Sequence, residues 1–230
     1  MKKLFLLGLG VMLLSVANQC KAEDITVNRN VPAFSGVKVS QGIRANINMG
    51  DSTIVKVTAP DAEIGNVITE VKNGMLIIHF NKQVKFKYVR DVVVDITTPK
   101  LDKLVATSGS TVVATDVKSN SFFMSSTSGS QLTIGIEATS ITAESKSGAS
   151  MSISGKTQKV ECSASSGASL HAKDLVSSVA KAEVSSGASL SVTAESSLAA
   201  AASSGGSISY YGNATVTDVR ASSGGSIRHK

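Results

Sequence analysis

The sequence predicts an all-β protein, a parallel β-helix (solenoid) with coils of about 19 residues. Three observations carry this expectation. A Ser-Gly phrase returns seven times, reading TSGS, TSGS, KSGAS, SSGAS, SSGAS, SSGGS and SSGGS between Thr107 and Ser226. An alternating apolar pattern is locked to that phrase, and the side chains available for a core are small, with 4% aromatic residues and no tryptophan. The repeated glycines are Gly109, Gly129, Gly148, Gly167, Gly187, Gly205 and Gly224, at spacings of 20, 19, 19, 20, 18 and 19 residues. One turn signal per fixed period of this length marks a stack of similar coils.

Each element of a coil follows from its residues. Glycine recurs at the corner because a backbone with φ > 0 costs least without a Cβ, and stacking makes every coil turn at the same place. The neighbouring serine is expected to hydrogen-bond local backbone and to stack on its copies. Three residues after each glycine comes an apolar series, Val112, Leu132, Met151, Leu170, Leu190, Ile208 and Ile227. Two residues later comes a second, Ala114, Ile134, Ile153, Ala172, Val192, Tyr210 and His229. This period of two reads as a strand. The second half of the repeat alternates again, through Phe122 and Met124, Ile141 and Ala143, Val160, Cys162 and Ala164, Leu198, Ala200 and Ala202, and Val219 and Ala221. A leucine-rich repeat has a similar period but needs an L-x-x-L-x-L frame, which is absent. Coils stacked at about 4.8 Å place equivalent residues in ladders.

Residues 23–104 are also β-rich but do not carry the regular corner phrase. Val37 to Asp51, Thr53 to Ala59, Met75 to Phe80 and Asp91 to Pro99 read as strands, with turns at Met49-Gly50-Asp51, Pro60-Asp61 and Asn73-Gly74. Asn-Gly between apolar runs is a strong hairpin signal. Irregular coils or paired sheets are expected here, closing one end of the solenoid, because an exposed coil end is a sheet edge. At the other end, the basic and titratable Arg228, His229 and Lys230 would discourage end-to-end growth. The expected organisation is a leader over 1–22 and a single β-helix domain over 23–230, comprising the cap (23–104) and the regular repeats (105–230).

Met1-Lys2-Lys3 followed by an apolar run from Leu4 to Val16 is a basic n-region and h-region of secretory signal length. The small residues Cys20 and Ala22 favour cleavage after Ala22, whereas Gln19 before Cys20 argues against a lipid anchor at Cys20. The chain is therefore expected to be exported, to the periplasm or the outer cell surface. Losing Lys2, Lys3 and Lys21 takes 23 basic residues to 20 against 17 acidic, a net charge of +3 rather than +6. That low charge and the compartment argue against nucleic acid as a partner. Cys162 alone remains, so no intramolecular disulfide is available, and its alternation points it inward as a small hydrophobe. No apolar run beyond the leader is long enough for a transmembrane helix.

The segment FSGVKVSQGIRANINMGDSTIVKVTAP (Phe34 to Pro60), the NGMLII hairpin, the DVVVDITTPKLDKLVATSGS junction (Asp91 to Ser110) and the serial SGAS and SGGS corners together resemble the putative auto-transporter adhesin, head GIN domain family. The resemblance runs from about Phe34 to the C-terminus. It implies a right-handed parallel β-helix in an exported bacterial protein and brings no catalytic residues with it.

A search for chemistry returns little. Seven or eight residues after the corner glycines sit Asp116, Glu137, Lys156, Asp174, Glu195 and Asn213, which in a stack would form a row along one turn. This is the best carboxylate ladder available to a polysaccharide-active enzyme, yet Lys156 splits it and charged turn residues are ordinarily solvated. His79, His171 and His229 have no metal-ligand spacing. No nucleophile elbow, P-loop or EF-hand frame occurs, and the lone G-x-G, Gly8-Leu9-Gly10, lies in the leader. No catalytic residue, metal or cofactor is expected. Lys85, Lys87 and Arg90 form a cationic stripe beside Phe86 and Tyr88 that could contact an acidic glycan, although lysines on an edge strand also serve to prevent aggregation. The reading is a non-catalytic envelope protein, adhesin-like, contacting a glycan or cell-surface protein over one face. The alternatives are a polysaccharide-active enzyme and a purely structural scaffold stacking through its coil ends.

Overall fold

The computed structural model describes residues 23–81 and 92–230. The leader, Cys20, Lys85, Lys87 and Arg90 lie outside the described residues. The N-terminal strands are β1 (Asp24–Asn28), β2 (Gly36–Val39), β3 (Arg44–Met49), β4 (Ile54–Pro60), β5 (Val67–Lys72), β6 (Met75–Phe80), β7 (Val93–Thr98) and β8 (Lys103–Ala106), with one short helix, α1 (Asp61–Ile64), between β4 and β5. The coils that follow are β9 (Thr111–Thr127), β10 (Gln131–Lys146), β11 (Ser150–Ser165), β12 (Ser169–Val184) and β13 (Ser189–Ala202), then β14 (Ser207–Tyr211), β15 (Thr215–Ala221) and β16 (Ser226–His229). From β9 onward every pairing is parallel, so the chain is a parallel β-solenoid as its period predicts.

The corner is a tight turn with both central residues left-handed. In the seven phrases serine has φ of 47–55° and glycine φ of 69–77°. The residue after the glycine donates its N–H to the carbonyl of the residue before the serine at 2.8–3.3 Å, as from Ser110 to Thr107 and from Ala168 to Ser165. Positive φ at both positions is the geometry of a type I′ turn. Serine thus does something different from what its hydroxyl suggested. It accepts a left-handed backbone, uncommon outside Gly, Asn and Asp, and its carbonyl receives the N–H of the preceding coil's glycine, from Gly109 to Ser128 at 3.1 Å through Gly205 to Ser223 at 3.1 Å. The hydrogen-bond ladder therefore passes through the corners without a break.

Between corners the predicted columns form in register. Val112, Leu132, Met151, Leu170, Leu190 and Ile208 stack in order, each no more than 3% exposed. In the second arm Phe122, Ile141, Val160, Ala180 and Leu198 form another column, and Met124, Ala143, Cys162, Ala182 and Ala200 a third. Between the arms the chain bends at Asp116 (φ 56°), Gly155 (φ 121°) and Gly212 (φ 92°), and the register slips there. The fourth corner position also points inward and shrinks along the stack, from Ser110 and Ser130 through Ala149, Ala168 and Ala188 to Gly206 and Gly225. Early in the stack its hydroxyl is fully used: Ser130 donates to the Ala106 carbonyl at 2.9 Å and accepts from the Thr127 N–H at 3.0 Å. Late in the stack there is no room, since a Cβ on Gly225 would lie 2.3 Å from the Ala202 carbonyl oxygen.

The N-terminal part lies at one end of the stack and contains a corner that the phrase search does not detect. Val37 to Asp51 is two strands rather than one, split at Gln41 (φ 63°) and Gly42 (φ 75°). Gly42 N–H donates to the Ser108 carbonyl at 3.0 Å, so this corner heads the same column. Gln41 replaces serine because its side chain has another task, accepting the Phe80 N–H at 2.7 Å. Beyond it the sheets run β9-β3-β7-β4-β1 on one arm and β9-β8-β2-β6-β5 on the other, and the outer pairs turn antiparallel. Asn73-Gly74, at φ 50° and 71°, makes the predicted β5–β6 hairpin. Pro60-Asp61 opens α1 rather than a simple turn, and Arg29 fastens it by donating to the Ile64 carbonyl at 2.7 Å.

The bends and corners should respond differently to an added methyl group. A Cβ at Gly155 would sit 2.0 Å from the Ile136 carbonyl oxygen, whereas one at Gly148 meets nothing within 4 Å. Gly155→Ala is expected to cost about 3 kcal/mol or more, and Gly148→Ala only the left-handed strain of about 1–2 kcal/mol. Equilibrium denaturation measures both, and equal losses would contradict this account of the bends.

Candidate functional site

On a solenoid the outward residues form columns as regular as the inward ones, and a site appears where a column changes character. On the second arm, Phe123, Thr142, Glu161, Lys181, Ala199 and Asp218 form one outward column. Ser125, Glu144, Ser163, Glu183, Ala201 and Arg220 form the next. Charged residues two apart on one strand share a face and pair: Glu144 with Lys146 at 2.8 Å, Lys159 with Glu161 at 2.7 Å, Lys181 with Glu183 at 2.8 Å and Asp218 with Arg220 at 2.9 Å. Between the charged pairs of β12 and β15, β13 carries only Ala199 and Ala201 at these positions.

The result is a trough along β13. Ala199, Ala201 and Ser203 form its floor, Lys181 and Glu183 one wall, and Asp218 and Arg220 the other. The walls stand two coils apart, about 10 Å. A hollow of about 400 Å³ extends over Ser163, Ser165 and Ser203 towards Lys146. Every backbone group of the floor lies within a ladder, since β13 is paired with β12 on one side and with β14 and β15 on the other. A ligand here meets side chains, not free strand edge.

The Lys181 ammonium stays charged across neutral pH. Glu183 hydrogen-bonds the Lys181 ammonium and holds its pKa above the ordinary lysine value, with Glu161 adding a smaller contribution in the same direction. On the adjoining coil, hydrogen bonding from Lys159 holds Glu161 below the usual glutamate value. Such exposed pairs are individually weak, worth about 0–1 kcal/mol. A ligand offering both donors and acceptors can therefore replace them at little cost.

The carboxylate row considered from the sequence does not form. A bulge opposes both Thr115 and Asp116 to Gly135, so Glu137 lies between Lys118 and Lys156, and Lys156 faces Val176 rather than Asp174. Glu137 approaches Lys118 at 4.0 Å. A wider polar recess of about 690 Å³ near Lys100, Asp102, Lys118 and Glu137 has these charges paired with one another. Among the described residues no three His, Cys, Asp or Glu side chains are grouped to hold a metal ion. His229 stacks on Tyr210 with ring centroids 4.8 Å apart, and His79 sits beside Glu70 at 3.5 Å. No described helix is long and apolar enough to cross a membrane.

Fold and surface together define a parallel β-solenoid whose notable surface feature is a trough along β13. The family model of the putative auto-transporter adhesin, head GIN domain, matches residues 33–214, and the chain belongs to that family. No curated protein matches the sequence. Among solved structures, a putative adhesin from Bacteroides fragilis NCTC 9343 aligns with a TM-score of 0.84 at 17% identity, over 90% of this chain and 97% of that one. A putative adhesin from Parabacteroides merdae ATCC 43184 aligns at 0.75 and 14% identity, over 91% and 97%. A protein described as a putative lipid binding protein, from Parabacteroides distasonis ATCC 8503, aligns at 0.69 and 14%, over 91% and 98%. Likenesses at this identity establish the fold alone.

Cys162 belongs to the core and not to any site. It is 3% exposed between Ala143 and Ala182, and burial pushes its thiol up to about 12. Since only the thiolate attacks, a thiol-selective alkylating reagent at neutral pH should leave it unmodified in the folded protein and label it after unfolding. Rapid labelling of the native protein, read by mass spectrometry, would contradict the assignment.

Proposed function

We propose that the protein is an exported, non-catalytic, adhesin-like contact module that holds an extended glycan in the trough over Ala199 and Ala201. The single observation behind this reading is the local replacement of charged residues by alanines between two charged walls. Sugar hydroxyls both donate and accept, so they suit a channel bordered by Lys181, Glu183, Asp218 and Arg220 with serines on its floor. A peptide strand is less suited, because β13 has no free edge for it to join. The family description agrees with an adhesive role, and the signal-like Met1 to Ala22 segment agrees with export. Affinity would come from several modest polar contacts, many of them through water. Lys85, Lys87 and Arg90 remain a second proposed contact, for an acidic glycan.

Binding of the purified protein to a panel of immobilised cell-surface glycans tests the reading. Ala201→Arg, at a half-buried outward position and able to fill the trough, should weaken binding of any recognised glycan about tenfold or more without lowering the melting temperature. Undiminished binding by this variant would move the site elsewhere. Absence of binding across the panel, with capture of a cell-surface protein instead, would replace the glycan reading altogether.

A further inference from the structure

The last coil differs from all those before it. Among the described residues β15 and β16 are paired on one side only, with β13 and β14. Val216 and Val219 continue the inward columns of Leu198 and Ala200, yet they are 41% and 48% exposed. In every earlier coil these columns are covered by the coil that follows. Ala221 and Ile227 lie on the same end. A strand edge presenting free backbone groups and exposed valines is a template for another strand. The opposite end contrasts with it: its outermost strand β1 exposes Asp24, Thr26 and Asn28, and no exposed large hydrophobic lies on β1 or β5 among the described residues.

We propose that the open end is covered by a second copy of this chain, the two β15 strands pairing antiparallel about a two-fold axis through Val219. The charges on β15 select this occupant and this register. With Val219 opposite its own copy, Asp218 stands across from Arg220 of the second copy, and Arg220 across from its Asp218. The intrachain pair at 2.9 Å then becomes a network of four charges. Slipping the pairing by two residues sets Asp218 against Asp218 in one direction and Arg220 against Arg220 in the other. Slipping by one residue sets the inward Val219 against the outward Asp218 and loses the common apolar face. One register therefore satisfies both the charge and the apolar pattern. An interface of this kind is self-complementary and closed, so it ends at two copies and does not propagate into a filament.

Analytical ultracentrifugation over a concentration series is the test. The expected result is a concentration-dependent dimer that saturates at two copies. Val219→Lys, at a position exposed in the single chain, should weaken dimerisation about tenfold or more while leaving the thermal unfolding of the monomer unchanged. Arg220→Asp should weaken it likewise, and the double exchange Asp218→Arg with Arg220→Asp should restore it, because the register pairs these two positions with each other. Lys181→Ala, on the far wall of the trough and two coils from β15, should leave dimerisation as it is, which keeps this inference separable from the trough. Monomer at every concentration, growth beyond two copies, or a dimer indifferent to Val219→Lys overturns it.

Discussion

The structure depends on one backbone hydrogen bond repeated through the stack, from the glycine N–H of each corner to the carbonyl of the corner residue one coil further on. The seven bonds from Gly42 to Ser108 through Gly205 to Ser223 measure 3.0–3.1 Å. They form only if both turn residues are left-handed, which costs a serine about 1–2 kcal/mol and restricts the second position in practice to glycine. Because the bond links coil to coil at a fixed place, it sets the spacing between coils and aligns every column that follows. The core then needs no large side chains. Ala, Val, Leu and Ile stacked on their equivalents fill a narrow interior, and the bends at Asp116, Gly155 and Gly212 absorb the one-residue variation in coil length.

Most of this architecture was legible in the sequence because a corner demanding glycine leaves a mark at fixed intervals, and a strand leaves alternation. The columns headed by Val112 and Phe122 are those that the alternation implies. What escaped has identifiable causes. The corner at Gln41-Gly42 lacks the serine phrase because Gln41 is occupied with the Phe80 N–H, although Ala45 and Ile47 follow Gly42 at the same offsets as in every other coil. The row through Asp116, Glu137 and Asp174 assumed equal coil lengths, and a bulge of one residue displaces its members onto different columns. Pro60-Asp61 reads as a turn until Arg29, distant in sequence, is seen holding the end of α1.

The trough escaped for a different reason. In LAAAA, Leu198 to Ala202, alternation cannot separate the inward Ala200 and Ala202 from the outward Ala199 and Ala201, because all four are alanine. Aligning the coils would have separated them, since Ala199 falls between Lys181 and Asp218, and Ala201 between Glu183 and Arg220. A candidate surface on a repeat protein is visible as an exception within a column, and one coil read alone cannot show it. The two ends are likewise unequal for chemical reasons. Antiparallel strands with polar edges finish the N-terminal end, while the other end keeps the solenoid's own inward columns open.

Native-state hydrogen exchange of the corner glycines tests the central claim most directly, because these residues are solvent-exposed yet, on this account, hydrogen-bonded between coils. Gly129, Gly148 and Gly167 amides should exchange as slowly as those of the flanking strands, and Gly224, in the last corner with no further corner to donate to among the described residues, should exchange much faster. Uniformly fast exchange at all the corner glycines, with the strands protected, would show that the corners are ordinary surface turns and that the register of the stack is set elsewhere.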